Sequence, residues 1–379
     1  MKRVVHVVDN LNFGGMERII AELVRRTDRS RFEVHLLVMS YLGHFSEGLE
    51  AFGTLHVAKP FSRWSMVYPH SIAEQLRTIA PDVLHSHSGV WYKASLAARM
   101  AGVPYVIHTD HGRQNPDPWL HRQVDRLASR RTDIVVAVSD VLARQLEGVV
   151  AEPSRIRMIR NGVDTETYAP HPYDGALHRE LGLTPETPII GSIGRLEAIK
   201  GYEVAVDAFA LLVRAWEGPN RPVLVLVGNG SQRTALEQRA ADAELGDAIR
   251  FLGWRSDIQK CLSAYTLFTM SSHSEGTSIS LLEAMSTALC PVVTRVGGNP
   301  AVLGAPLAHR LVEPNDPAAL AVAWADALRH DERRRADAYA ARQRVTDEFG
   351  LDAMVRAYEA LYETPVAHRA ASLTFAVAS

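Results

Sequence analysis

The sequence predicts two α/β domains in tandem, each an open parallel sheet covered by helices, and three observations carry the prediction. The chain has 379 residues, more than one hydrophobic core usually organises. Short apolar runs rich in β-branched residues recur between helical stretches, at 4–8, 34–39, 83–86, 105–109, 134–138 and 156–159, which is how parallel strands buried on both faces read. The series breaks at a segment holding Pro170, Pro172, Pro185 and Pro188, then restarts at 189–193, 223–227, 249–252, 267–270 and 291–294. That interruption places the domain boundary, giving residues 1–168 to the first domain, 169–349 to the second and 350–379 to a terminal helix followed by a loose tail.

Composition narrows the function classes. A hydrophobic fraction of 47% and a charged fraction of 22% exclude disorder and fibrous architectures. A formal net charge of -2 gives no long-range field for a polyanion, so nucleic acid is not an expected partner. The two cysteines, Cys261 and Cys290, have no spacing that suggests a metal set or a disulfide framework, and a reducing cytoplasm is the expected compartment. Residues 1–9 carry Lys2 and Arg3 before an apolar run too short for a signal-peptide core, and they read as the first strand. No stretch approaches the roughly 18 unbroken apolar residues that span a bilayer, so any membrane contact is expected to be peripheral, at the inner face of the cell membrane.

Ligands of open α/β sheets bind beyond the carboxyl ends of the strands, so the residues just after each strand are the informative ones. After the first strand, Gly14 and Gly15 lead into a helix with Ile19, Ile20, Leu23 and Val24 on one face. Paired glycines let the backbone approach a phosphate, although a tight strand-to-helix turn explains them as well. After 189–193 come Gly194, Arg195, Lys200 and Gly201, where two cations five residues apart could clamp a diphosphate and stabilise it as it departs. Two solvated surface cations are the alternative.

After 267–270, a polar turn with Glu275 and Gly276 opens an amphipathic helix, with Thr277 or Ser278 as cap and Ile279 and Glu283 inside it. The amides from Gly276 to Ser280 are expected to be open to an anion. A carboxylate among Leu281, Leu282, Ala284 and Met285 is costly unless hydrogen-bonded, and ribose hydroxyls would supply that bonding. The alternative is a Glu275 favoured by the helix dipole and a Glu283 facing solvent. After 105–109, His108-Thr109-Asp110-His111-Gly112-Arg113 has the residue types of a metal or acid/base cluster without a zinc-ligand spacing, and reads as a cleft-lining polar group with His111 as the site candidate and a buried, hydrogen-bonded role as an even alternative for His108. His85-Ser86-His87-Ser88 reads as a structural turn, with an acceptor-pocket lining as its alternative. The run Arg122, Arg126, Arg130 and Arg131 reads as a solvated helix face, with an anionic membrane surface or an acidic acceptor as alternatives.

In this order, the segments resemble the retaining nucleotide-sugar glycosyltransferases of family 4, whose GT-B fold sets two Rossmann-like domains across a cleft. The match runs through Gly14-Gly15, Thr109-Asp110-His111-Gly112, Val138-Ser139, Asn161-Gly162-Val163-Asp164, Gly194-Arg195 to Lys200-Gly201, Val227-Gly228-Asn229-Gly230, Phe251-Leu252-Gly253, Glu275 to Glu283-Ala284-Met285, Pro291-Val292-Val293-Thr294 and Gly297-Gly298. The His111-Gly112-Arg113 variant is similar to enzymes of bacterial exopolysaccharide or capsule assembly. The resemblance implies that Arg195 and Lys200 stabilise the donor diphosphate, Glu283 binds the ribose, and Glu275 with the following amides positions the sugar. Gly15 and His111 would approach the donor from the opposite domain. Gly14, Gly194, Gly228, Gly253, Gly276, Thr277, Ser278 and Ile279 complete the implied donor site.

The same resemblance implies retention of anomeric configuration, no cofactor, no catalytic metal, and C-terminal helices, from near Asp331, that cross back onto the first domain. Partners are then a nucleotide-sugar donor, with UDP the commoner nucleotide, and a sugar, lipid-linked sugar or small-molecule acceptor. The chain departs from the family at Ala288, where glycine is usual, at Ala301, where an acidic residue is common, and at Arg160, where proline is usual. Two other classes compete: a nucleotide-sugar 2-epimerase of similar fold, and a nucleotide-sugar-binding protein without catalysis.

Overall fold

The computed structural model of the chain describes residues 1–12, 14–58, 68–113 and 118–364. Its contacts divide it into two units, residues 1–160 with 352–379, and residues 161–351. The expected loose tail from about Ala367, together with Phe13 and residues 59–67 and 114–117, lies outside the described residues.

The first unit holds β1 (Lys2–Asn10), β2 (Phe32–Tyr41), β3 (Thr54–Val57), β4 (Val83–His87), β5 (Tyr105–Asp110), β6 (Ile134–Ala137) and β7 (Ile156–Met158). They form one parallel sheet in the order β3-β2-β1-β4-β5-β6-β7. The chain starts at the centre, works out to one edge, then returns and works out to the other. Helices cover the faces because their apolar stripes need burial: Gly15–Arg26 buries Ile19, Ile20, Leu23 and Val24, the face read from the sequence. One core gathers Val5, Val7, Leu37, Leu76, Leu84 and Val106, and a second gathers Trp91, Val135, Leu142 and Leu146.

The second unit repeats the plan with β8 (Ile189–Ile193), β9 (Val223–Val227), β10 (Ile249–Gly253), β11 (Leu267–Met270), β12 (Pro291–Thr294) and β13 (Leu311–Val312), parallel and ordered β10-β9-β8-β11-β12-β13. Strand β9, Val-Leu-Val-Leu-Val, is buried at every residue, as a strand covered on both faces must be. Helices Tyr202–Arg214 and Pro317–Arg329 supply Phe209, Leu212, Leu320 and Trp324 to the core. The Trp324 indole N–H donates to Thr269 Oγ1 at 2.9 Å, which satisfies both buried groups.

Two strands, β3 and β13, are additions to the sequence reading. Both lie at sheet edges, and β13 is two residues long, so neither produces a sustained apolar run. The terminal helices part company. Asp331–Glu348 stays with the second unit, where Arg342 bonds the Ser286 carbonyl at 2.7 Å and Arg344 bonds the Val302 carbonyl at 2.6 Å, so the crossing does not begin near Asp331. Leu351–Glu363 packs on the first unit: Glu359 accepts from the Asp28 amide at 2.8 Å and pairs with Arg31 at 3.1 Å, while the Tyr362 hydroxyl meets His85 Nδ1 at 2.9 Å. Both cysteines are free and buried.

Candidate functional site

In both sheets the strand order reverses at the centre, and such a reversal opens a crevice at the carboxyl ends of the two central strands. In the second unit these strands are β8 and β11, and the loops after them carry the residues singled out from the sequence. Lys200 Nζ reaches Glu275 Oε1 at 2.7 Å, so the two loops are joined by an ion pair across the reversal point. Ser272 Oγ donates to the same carboxylate oxygen at 2.6 Å. The Glu275 side chain is 6% exposed and that of Lys200 22%, which removes both from the class of freely solvated surface charges. Arg195 is exposed, and among the described residues it has no ion pair or side-chain hydrogen bond.

Backbone contacts clasp the same loops. Ser271 Oγ donates to the Lys200 carbonyl at 3.2 Å, and the His273 amide donates to the Ile199 carbonyl at 2.9 Å. Glu197 holds the amide and hydroxyl of Ser231 at 3.0 and 2.6 Å, tying the Arg195 loop to the turn after β9. The glycines are explained by close approach. A Cβ on Gly297, which sits at φ 52, would lie 1.7 Å from the Glu275 carbonyl oxygen. A Cβ on Gly228 would lie 1.9 Å from the Gly194 carbonyl oxygen. Gly253 sits one strand further out, and its carbonyl accepts from the Gly228 amide at 2.8 Å, so it supports the Gly228 turn.

Helix Ile279–Ser286 starts at Ser278, whose Oγ accepts from the Leu281 amide at 3.4 Å. Of the two expected caps, Ser278 performs the task. Thr277 instead offers its carbonyl to Asn161 Nδ2 at 3.3 Å. Glu283 is 2% exposed, so the solvent-facing alternative for it is corrected: it lies in the interior beside Leu282 and Ala284. Just past the helix, after the cap residue Thr287, Ala288 sits at φ 57, a left-handed position that costs a residue with a Cβ about 1 kcal/mol. The family's usual glycine there has a plain physical reason.

The first unit contributes a second polar centre. His85 and His87 lie within β4 and are buried, so the turn expected at 85–88 is corrected: the turn begins only at Ser88, at φ 39. Residues two apart on a strand share a face, and His6 of β1 is paired in register with His85. His6 Nδ1 meets His87 Nε2 at 3.1 Å, and His87 Nδ1 meets His111 Nε2 at 3.2 Å. His85 bonds Thr109 Oγ1 at 2.7 Å as well as Tyr362. Burial holds the His6 imidazole down at about pKa 3 and that of His111 at about 4, and lowers His85, His87 and His108 too. All five are therefore neutral near pH 7. His108 stacks on Trp91 at 4.1 Å between ring centroids and bonds Ser86 at 2.9 Å, the buried one of the two roles left open for it. Asp110 pairs with Arg113 at 2.7 Å.

Among the described residues, His6, His85 and His87 are the set of ligand-type side chains close enough to hold a cation, with ligand atoms within 4.8 Å of one another. In the structure His6 Nδ1 and His87 Nε2 bond each other, His87 Nδ1 bonds His111, and both His85 nitrogens bond hydroxyls. Gly14 and Gly15 lie at the start of the helix after β1, as N-cap and first residue. Sequence reasoning gave Ser272 and Asn161 no role of their own, and it missed the His6–His87 pair. The only available signal was the i, i+2 spacing of His85 and His87 within an apolar run.

The family described as glycosyl transferases group 1 matches residues 175–344, and that described as glycosyltransferase family 4 matches residues 13–167. The chain is 29% identical to a UDP-Gal:alpha-D-GlcNAc-diphosphoundecaprenol alpha-1,3-galactosyltransferase of Escherichia coli over 65% of this chain and 66% of that one. It is 31% identical to an alpha-maltose-1-phosphate synthase of Mycolicibacterium smegmatis over 71% of this chain and 76% of that one. Among solved structures, Anabaena HepE in complex with UDP and glucose superimposes with a TM-score of 0.84 at 20% identity, covering 96% of this chain and all of that one. No helix among the described residues is long and apolar enough to cross a membrane. With two parallel-sheet, Rossmann-like units and relatives matched along both, the chain belongs to the glycosyltransferases of family 4, of the GT-B fold class.

Proposed function

We propose that the chain transfers a sugar from a nucleotide diphosphate sugar, a UDP-sugar first among them, to a hydroxyl acceptor with retention of configuration and without a catalytic metal. The observation that carries this reading is the Lys200–Glu275 pair at the strand reversal of the second unit, with the exposed Arg195 on the same loop. Arg195 and Lys200 take the diphosphate, Glu283 the ribose, and Glu275 with the amides of Gly276 to Ile279 the transferred sugar. Gly15 and His111 of the first unit are the further donor-site residues that the family resemblance implies. Attack of the acceptor oxygen on the anomeric carbon breaks the bond to the departing phosphate, which receives the acceptor's proton on the same face.

Support for UDP and for a lipid-linked acceptor comes from the E. coli relative, whose name gives UDP-Gal as donor and a diphosphoundecaprenol-linked sugar as acceptor, and from HepE, solved with UDP and glucose. The test is incubation with a panel of UDP- and GDP-sugars and lipid-linked or soluble sugars, read by mass spectrometry. A glycosidic product is expected. Isomerisation at C2 would assign an epimerase, and binding without turnover a sensor.

A membrane-side acceptor fits one surface feature. On helix Trp119–Ser129, Trp119 is 72% exposed and Leu120 62%, on the same helix as the exposed Arg122 and Arg126. Apolar residues beside cations suit an anionic bilayer surface. Sedimentation with phosphatidylglycerol vesicles is expected to carry the wild type down and to leave a Trp119→Ser, Leu120→Ser variant largely in the supernatant. Equal partition of both would remove the membrane contact.

A further inference from the structure

We propose that His6 and His87 are positioning residues that lock the tautomer of His111, so that His111 presents Nδ1–H as a hydrogen-bond donor. The proposal rests on the reading of His111 as the residue that meets the donor sugar. Three imidazoles run in a line from the interior of the first unit: His6 Nδ1 to His87 Nε2 at 3.1 Å, then His87 Nδ1 to His111 Nε2 at 3.2 Å. His6 and His87 are parallel within 16° and their centroids are 5.4 Å apart. A neutral imidazole has one N–H and one bare nitrogen, so each bond fixes the direction of the next. The line therefore has two states only. Either His6 donates to His87 and His87 to His111, or every proton sits on the other nitrogen.

The two ends choose between them. His6 Nε2 and His111 Nδ1 are both buried atoms with no hydrogen-bond partner among the described residues. In the first state the interior end is a bare nitrogen and the outer end an N–H; in the second these are exchanged. Both atoms are enclosed, but His6 is 0% exposed and lies inside the sheet, whereas His111 is a partly exposed residue just after β5, so the outer end is the one nearer to water or a ligand. An unpaired N–H is the costlier group to leave in a dry interior, which favours the first state. His111 then carries its proton on Nδ1 and can donate to a sugar oxygen. The neighbouring histidines do not compete for the line, since His85 bonds Thr109 and Tyr362, and His108 bonds Ser86.

The consequence is a residue effect at a distance. His6 contacts His87 rather than His111, yet its removal frees His111 to take either tautomer. The experiment uses the full chain labelled with 15N at histidine, together with release of UDP from UDP-glucose, UDP-galactose or UDP-N-acetylglucosamine, whichever turns over fastest. In the wild type the His111 Nδ1 signal is expected in the protonated, pyrrole-type range and Nε2 in the bare, pyridine-type range. In His6→Phe both signals move toward the average of the two ranges, and kcat falls about tenfold with KM little changed, the worth of one hydrogen bond. His6→Asn, whose amide N–H occupies the place of Nδ1–H, keeps the single tautomer and most of the rate. A structural role alone would lower stability in His6→Phe without moving the tautomer signals.

A wild-type His111 protonated on Nε2 overturns the proposal, and that measurement needs no variant to fold. A folded His6→Phe with unchanged His111 signals also overturns it. His111→Ala with wild-type turnover would instead overturn the reading of His111 as a sugar contact, and the tautomer lock would stand by its spectra.

Discussion

Lys200→Ala is expected to lower kcat for sugar transfer by about 10²- to 10³-fold at saturating donor, and Arg195→Ala by a comparable amount, the usual worth of a charge aimed at a developing anion. The departing nucleotide diphosphate gains negative charge as the anomeric bond breaks. A cation that strengthens its contact at that stage accelerates the step, whereas one that binds equally throughout affects only KM. The two cations start from different ground states. Lys200 is already held by Glu275 at 2.7 Å, whereas Arg195 is exposed and among the described residues makes no ion pair, only a longer-range attraction to Glu197. Arg195 therefore has its charge available for a phosphate, while Lys200 shares its charge between Glu275 and the donor. Lys200→Ala also leaves the nearly buried Glu275 without its cation, so a thermal melt must accompany the kinetics. Near-wild-type turnover in both folded variants at saturating donor would remove the diphosphate assignment.

Acidification from pH 7 to pH 5 is expected to destabilise the first unit strongly. The unfolded imidazoles titrate near 6.5, whereas burial holds His6 at about 3 and His111 at about 4 in the folded chain. Between these values the unfolded chain binds more protons than the folded one, so the stability present above pH 6.5 is lost as pH falls. At pH 5 His6 and His111 alone withdraw on the order of 4 kcal/mol, a large share of a domain's usual stability. His85, His87 and His108 shift in the same direction and add to the loss. Urea melts at the two pH values, followed by tryptophan fluorescence, should show a far lower midpoint at pH 5. Coincident midpoints would mean that the buried imidazoles are solvated or already paired with a charge.

The sheets were legible because a strand covered on both faces leaves a short continuous apolar run rich in β-branched residues, as in β9, set between longer helical stretches. The edge strands β3 and β13 were not, since pairing on one side only, over two to four residues, leaves no such run. On the donor side, Lys200, Glu275 and Glu283 could be named from order and spacing, but the ion pair between loops 75 residues apart required the fold. Gly297 was visible as half of a glycine pair, while its reason, a carbonyl where a Cβ would stand, is three-dimensional. The histidine line was the least legible feature. Its members come from β1, β4 and the end of β5, and only the sheet register brings His6 to His85. A sequence shows that histidines interrupt apolar strands, without showing that they face one another.

The claim at the centre of this account is that a nucleotide diphosphate sugar binds at the strand reversal of the second unit, with its ribose on the buried Glu283. Calorimetric titration of UDP into the wild type, Glu283→Gln and Glu283→Ala tests it most directly. The account predicts one UDP per wild-type chain, weakened about tenfold or more when a charged hydrogen-bond acceptor is removed. Equal dissociation constants in all three folded proteins would contradict it.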